Sequence, residues 1–333
     1  MRLARVASVM SDAHFDFHCS ACGKCCNSPP LLSLPELFRH QHRFIGGLAL
    51  RRVRRLRIGQ RLAQSGRLYS IGAEDLRAAA ALSAQLLHPA GDTDILLALQ
   101  GMDHPSRGAC PALDADGHCS LYAAGRPATC AVVPLDALLP DRLQHLVLAG
   151  RTGEAAYFGA DCLSTEARIG HRPLAAGASV LDTGYAAALA LRRNDLAADR
   201  RHWGDAVWRL IGPELLGEPG AIPVEQALTV APVPVLLVVA GASDACRQRV
   251  LDFIAAQQAL IAEAIAAALQ RRLGDDKPFT RQLRAFADTY RALEQRLREA
   301  PAPRPRVNAA ELEAWLGLAP VAEASFITPE SVS

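Results

Sequence analysis

Four cysteines within eight residues, close to the start of the chain, have a spacing that suits metal binding. They are Cys19, Cys22, Cys25 and Cys26. Two intervening residues let two thiolates reach one ion from a tight turn, and Gly23 supplies the backbone freedom that such a turn needs. The first three positions fit both a zinc site and the bacterial iron–sulfur spacing, so the spacing does not choose between these metals. Because adjacent side chains point in different directions, we expect Cys26 to face a second metal or another edge of a cluster.

A second group of cysteines follows further along the chain. Asp116-Gly117 is a hairpin-turn pair that should bring Cys110 and Cys119 together, and Cys130 follows a rigid Arg-Pro turn. An arginine at that turn would help to offset the negative charge of several thiolates. With one further cysteine downstream, the predicted metal ligands are Cys19, Cys22, Cys25, Cys26, Cys110, Cys119, Cys130 and Cys162. Eight thiolates suffice for two four-sulfur sites of zinc or iron–sulfur type, or for one multinuclear site.

The alternative interpretation is that these cysteines are buried core residues, as free cysteines often are. Four within eight residues, followed by three more at hairpin spacing, favour metal ligation instead. Cys246 lies alone near a predicted helix start, where the pKa of a thiol can fall, but we interpret it as an inert core residue. His18 and His118 each precede a cysteine; either can act as a ligand, although we expect them only to flank the site.

The composition restricts the class of protein. The chain has 333 residues, half of them hydrophobic, and a formal net charge of +2. A net charge so close to zero argues against a protein whose surface as a whole binds nucleic acid or membrane. No apolar segment follows Arg2 and Arg5, and the apolar stretch at residues 231–242 contains two prolines and is too short to span a bilayer. We therefore expect a soluble, cytoplasmic protein, in which thiols stay reduced and are available to metals.

The hydrophobic pattern predicts a mainly α protein with a small irregular cysteine-rich metal module that contains a short β-hairpin. We divide it into a cysteine-cluster metal-binding domain at 12–165 and a helical C-terminal region at 166–333. The Ser33–Glu36 capping pattern should begin a helix that runs to about residue 43. Further helices are predicted at about 74–87, 180–193, 200–211, 244–273, 278–299 and 308–317. Short buried strands are predicted at 95–100 and 143–148.

A basic stretch lies between these elements and contains Arg51, Arg52, Arg54, Arg55, Arg57, Arg61 and Arg67. It suits a docking surface for an acidic protein partner, a nucleic acid or an anionic membrane. The alternative is a solvated helix face whose arginines pair with carboxylates elsewhere. The near-neutral total charge and the lack of interleaved aromatic residues favour this alternative.

The cysteine pattern resembles the YkgJ-type cysteine-cluster family of zinc- or iron-chelating domains. The signature of that family is CxxCxxCC, followed by Cys, Cys-x-x-Tyr and Arg-Pro-x-x-Cys. The matching landmarks here are Phe17, Cys19, Cys22, Gly23, Cys25, Cys26, Cys110, Pro111, Gly117, Cys119, Tyr122, Arg126, Pro127, Cys130 and Pro134. The resemblance spans about residues 15–135. It departs from the family at residues 131–133, where relatives often carry an arginine and an aromatic residue and this chain has Ala-Val-Val.

Three functions follow from the residues and the resemblance. The first is a metal-binding module that stores a metal or is held together by it. The second is an enzyme, because the cluster resembles that of flagellin lysine N-methylases, which implies methyl transfer to a protein lysine assisted by an iron–sulfur cluster. The third is a zinc-stapled scaffold that presents the Arg51–Arg57 face to a partner.

Overall fold

The computed structural model describes residues 14–21, 23–64, 67–123, 125–152, 162–218, 220–224, 226–299 and 307–318. About half of the structure is helical, and several antiparallel sheets account for much of the rest. The mainly α prediction is therefore confirmed in outline, with more β-structure than the sequence pattern predicted.

The helices are α1 (Leu34–Arg39), α2 (Ala73–Leu86), α3 (Ala128–Val132), α4 (Gln144–Thr152), α5 (Thr183–Asp199), α6 (Asp205–Gly217), α7 (Val233–Ala240), α8 (Asp244–Arg271), α9 (Asp276–Glu299) and α10 (Ala309–Leu316). The strands are β1 (His14–Phe17), β2 (Leu31–Leu32), β3 (Ile45–Arg54), β4 (Arg61–Gln64), β5 (Arg67–Ser70), β6 (His88–Ala90), β7 (Thr93–Met102), β8 (Leu163–Ser164), β9 (Arg172–Ala176), β10 (Ser179–Val180) and β11 (Leu228–Val230). A π-helical turn at residues 200–204 joins α5 to α6 without a break, where we predicted two separate helices.

The central sheet has the order β11-β3-β7-β2, and β6 also pairs with β7. Its main element is the antiparallel pair β3–β7, which runs from Ile45 opposite Met102 to Arg54 opposite Thr93. The strand predicted at 95–100 is the middle of β7. The β3 strand was not predicted, because its glycines and arginines hide the apolar pattern. Its glycines are needed for packing, since a Cβ atom on Gly47 would lie 2.5 Å from the sulfur of Met102.

A smaller sheet has the order β10-β9-β1-β8, and β4 and β5 form a separate hairpin. In the smaller sheet Phe17 pairs with Leu163 on one side and with Arg172 on the other. This pairing places the first cysteine segment, which follows β1, beside Cys162. Strands β9 and β10 of the smaller sheet and β11 of the central sheet all come from beyond residue 165. The division of the chain into two domains near that residue stays a prediction.

Helix α8 packs against β3 of the central sheet, and α7 and α9 pack against α8, so that all three helices contribute to one hydrophobic core. Phe253 and Ile254 of α8 and Tyr290 of α9 are fully buried there, together with Leu48 and Leu50 of β3. By length and composition alone α8 is able to cross a membrane, but the core helices of globular proteins pass the same test. The buried residues of α8 pack in this core.

The strand predicted at 143–148 is wrong, because these residues enter helix α4. The buried residues of α4 are Gln144, His145, Leu148 and Ala149, which is the spacing of one helical face. Gln144 also fixes the preceding turn, since its side-chain amide donates to the carbonyls of Asp136 and Leu139. A short apolar run does not by itself distinguish a buried strand from a buried helix.

Replacing Gln257 by methionine is expected to lower the free energy of unfolding by about 2 kcal/mol, with similar side-chain volume. Gln257 is fully buried on α8, accepts a 2.7 Å hydrogen bond from the Gly46 amide, and donates to the carbonyls of Gln41 and Phe44. The substitution leaves these backbone groups buried without partners. Denaturant unfolding measures the effect. Gln248→Met, on the exposed face of the same helix, is the control, and equal losses in both variants would contradict the assignment.

Candidate metal centre

The first cysteine segment is held between the smaller sheet and a turn of the second cysteine group. The amide of His18 donates to the carbonyl of Cys162 at 2.9 Å, and the amide of Cys26 donates to that of Gly23 at 2.9 Å. Gly23 has a φ angle of +71°, and a Cβ atom there would lie 2.8 Å from the carbonyl oxygen of Gly117. Glycine at position 23 is therefore required both by the backbone conformation and by the close approach of the two segments.

The second cysteine group is joined directly to the first. The amide of Cys110 donates to the carbonyl of Cys26 at 2.7 Å. Beyond it, Leu113 and Cys119 form an isolated antiparallel bridge around a turn in which the amide of Asp114 donates to the carbonyl of His118. The predicted turn between Cys110 and Cys119 is thus present as a single bridge rather than as a hairpin of two strands.

Cys130 lies on the short helix α3, and a buried carboxylate anchors the start of that helix. Glu36 of α1 accepts hydrogen bonds from the amide of Ala128 at 2.7 Å and from the amide of Ser33 at 2.8 Å. The sequence indicated Glu36 only as a capping residue of α1. The same carboxylate also stabilises the N-terminus of α3, where a negative charge is favourable.

Beneath Glu36 lies a buried arginine that the sequence analysis did not single out. Arg192 of α5 is 2 % exposed, and its two terminal guanidinium nitrogens have no hydrogen-bond partner within the described residues. Burial lowers the pKa of Arg192, and the charges of Glu36, Asp199 and Asp195 oppose that effect. Burial raises the pKa of Asp199 to about 7 and that of Asp195 to about 6. Arg192 therefore supplies the buried positive charge among these carboxyl groups.

Seven cysteines surround a single cavity of about 630 Å³ between the cysteine segments and the central sheet. They are Cys19, Cys25, Cys26, Cys110, Cys119, Cys130 and Cys162. Cys22 lies outside the described residues, and Cys246 lies in the core at the start of α8, where burial raises the pKa of its thiol. The fold thus brings together the cysteines that the sequence analysis grouped as ligands, as far as they are described.

The thiols around the cavity interact electrostatically. A hydrogen bond to Cys26 raises the pKa of the Cys25 thiol, and the same bond lowers the pKa of Cys26. The neighbouring Cys130, Cys110 and Cys119 oppose the ionisation of Cys26, so these four sulfurs lie within electrostatic range of one another. Burial raises the pKa of Cys130 to about 12. Burial also raises the pKa of Cys110, so Cys25, Cys110 and Cys130 would each need a positive charge nearby in order to ionise at neutral pH.

Arg126 supplies such a charge to two of the thiols. Its guanidinium lies 4.7 Å from the centre of the Tyr122 ring, and its charge opposes the upward pKa shifts of Cys25 and Cys130. The arginine of the Arg126-Pro127 motif thus stabilises the thiolate forms of Cys25 and Cys130. One arginine does not balance several thiolates, and a divalent cation would supply the remainder.

The donor set fits zinc or iron, because soft thiolate ligands select these metals over magnesium or calcium. Within the described ranges, however, no three Cys, His, Asp or Glu side chains converge tightly enough to hold one ion. Ligation by several of these cysteines therefore requires their side chains to turn towards a shared ion. His118 also lines the cavity, whereas His18 lies against His171, with ring centres 5.9 Å apart.

The arginines of the basic stretch lie on β3, on the β4–β5 hairpin and in the segment between them, and not on a helix. Arg52 donates to the carbonyl of Ile222, and Arg55 forms an ion pair of 2.7 Å with Asp94. Arg51 lines the cavity. These arginines therefore face different surroundings and do not share a single exposed face.

Comparison with known proteins agrees with this geometry. Residues 18–147 match the family model described as "CxxCxxCC: Putative zinc- or iron-chelating domain". This region is therefore similar to domains described as zinc- or iron-chelating, and the resemblance noted from its cysteines is confirmed over these residues. The match contains the predicted ligands from Cys19 to Cys130 and excludes Cys162. No curated protein and no solved structure matches the chain.

Proposed function

We propose that the protein binds zinc or iron through the cysteines that surround its cavity. The observation that carries this proposal is that seven cysteines from four separate segments line one cavity, within or beside a region of the zinc- or iron-chelating class. The proposed ligands are Cys19, Cys22, Cys25, Cys26, Cys110, Cys119, Cys130 and Cys162. A bound metal would stabilise the thiolate form of its cysteine ligands. A cytoplasmic location, in which thiols stay reduced, is part of the proposal.

Metal and sulfide analysis of protein purified without oxygen tests the proposal. We expect stoichiometric zinc, or iron with a broad visible absorption band. Inorganic sulfide together with that band would identify an iron–sulfur cluster, whereas a colourless protein with zinc would identify a zinc centre. Protein that contains neither metal, although the cells were supplied with both, would contradict the proposal.

An enzymatic role is the second candidate, and the cavity favours it. Structural zinc sites are closed, whereas catalytic sites keep space beside the metal for a substrate. A cavity of about 630 Å³ next to the thiols provides such space. By the family resemblance, the reaction would be iron–sulfur-dependent methylation of a protein lysine. The test is transfer of label from a methyl donor to the lysines of flagellin by the iron-loaded protein, and lack of transfer would end this candidate.

The third candidate, a zinc-stapled scaffold with a basic docking face, has less support. Arg52 and Arg55 are bound to neighbouring groups, and Arg51 faces the cavity. Arg51, Arg54 and Arg57 of this segment are exposed, but Arg51 and Arg54 lie on opposite faces of β3, so they do not form one basic face.

A further inference from the structure

The floor of the cavity is one face of the β3–β7 pair. Ala49 of β3 lies opposite Ala98 of β7, and the flanking positions on the same face carry Arg51 opposite Leu96 and Gln100 opposite Gly47. From Arg51 to Gln100 the floor spans four residue positions, or about 14 Å. The two alanines at its centre leave room above the sheet. The result is an elongated apolar floor with a polar group at each end.

The walls near this floor are mostly apolar, and apart from the cysteines the charged side chains of the described lining are arginines. Leu31, Phe44 and Val133 contribute to the walls. Among the described residues no aspartate or glutamate lines the cavity, whereas two arginines do, Arg51 and Arg126. A cationic ligand would therefore find no carboxylate partner in the described lining.

Arg51 is the arginine available to a ligand. Arg126 already stacks on Tyr122, whereas Arg51 is an exposed residue at the cavity and no hydrogen bond or ion pair engages its guanidinium within the described chain. A second polar group faces the same space, because Thr129 lines the cavity and its buried hydroxyl has no partner among the described residues. Buried polar groups of proteins are normally hydrogen-bonded, so an unpartnered hydroxyl in a cavity wall suits a ligand that can bond to it.

We propose that the cavity binds an aliphatic carboxylate, whose chain lies over Ala49 and Ala98 and whose carboxylate pairs with Arg51. The size of the cavity is in the range of small-molecule sites, and an apolar lining with a few polar groups is typical of them. The pairing with Arg51 is a charge-assisted hydrogen bond, which is the stronger kind. This inference goes beyond the proposed function and rests on it only in that the metal ligands form one wall of the cavity.

Calorimetric titration of the metal-loaded protein with decanoate, decylamine and 1-decanol tests the proposal. We expect decanoate to bind at least tenfold more tightly than decylamine, with 1-decanol between them. Arg51→Gln should weaken the binding of decanoate about tenfold. Arg54→Gln is the matched control, since it removes the same charge from the opposite face of the same strand and should leave the affinity unchanged.

A second variant tests the position of the chain. Ala98→Leu places a larger side chain on the floor and should abolish decanoate binding while metal content is retained. Equal affinities of wild type and Arg51→Gln for decanoate, or no preference for decanoate over decylamine, would overturn the proposal. Metal content is measured in the same samples. Bound metal without decanoate binding rejects this inference alone, whereas protein that takes up neither zinc nor iron but still binds decanoate rejects the proposed metal centre alone.

Discussion

Replacing Cys130 by serine is expected to weaken metal binding by more than about a hundredfold. Partners that only orient a metal ligand contribute about 10- to 100-fold to affinity, so loss of a thiolate ligand should cost more. Cys130 is the cysteine that α3 brings to the cavity, and its neighbours there are Cys26, Cys110 and Cys119. Metal content after purification without oxygen, followed by competition with a chelator, measures the loss.

Cys246→Ser is the matched control for this experiment. Cys246 is buried in the core and does not line the cavity, so its replacement should cost stability and leave the metal bound. Equal metal content in the Cys130 and Cys246 variants would contradict the assignment of Cys130 as a ligand. Loss of metal from both would mean that unfolding, not ligand removal, explains the result, and thermal unfolding of each variant distinguishes these outcomes.

Replacing Glu36 by glutamine is expected to lower the free energy of unfolding by about 3 kcal/mol. The side chain keeps its size but loses the charge that faces the buried guanidinium of Arg192. The carbonyl oxygen of glutamine can still accept from one of the amides of Ala128 and Ser33, but its NH2 group cannot accept from the other, so that donor is left buried without a partner. Since Ala128 begins the helix of Cys130, metal retention should fall together with stability.

Glu74→Gln serves as the control for Glu36→Gln. Glu74 pairs with Arg142 on the surface and its side chain is 65 % exposed, so its loss should cost less than about 1 kcal/mol. Denaturant unfolding of the two variants under identical salt conditions gives the comparison. Similar free energies of unfolding for both would show that the buried carboxylate does not have the role assigned to it.

The local patterns of the sequence were sufficient to predict the long helices and to indicate that the clustered cysteines are of the metal-binding type. The periodic apolar residues and capping positions of α2, α8, α9 and α10 predicted these helices to within a few residues. The cysteine spacing predicted a resemblance to zinc- or iron-chelating domains, and the family model matches residues 18–147. These features depend on residues close together in the chain, and their signal is therefore readable without a structure.

Only the tertiary structure decided what surrounds the thiols. The β1–β8 pairing brings Cys162 beside Cys19, the carboxylate of Glu36 reaches the amide of Ala128 across 92 positions, and the β3–β7 pair builds the floor of the cavity. Each of these contacts joins segments far apart in sequence, and no local periodicity specifies them. The sequence by itself therefore predicted a set of metal ligands, whereas the packing of distant strands and helices decided that the described cysteines of this set border a cavity that Arg51 also lines.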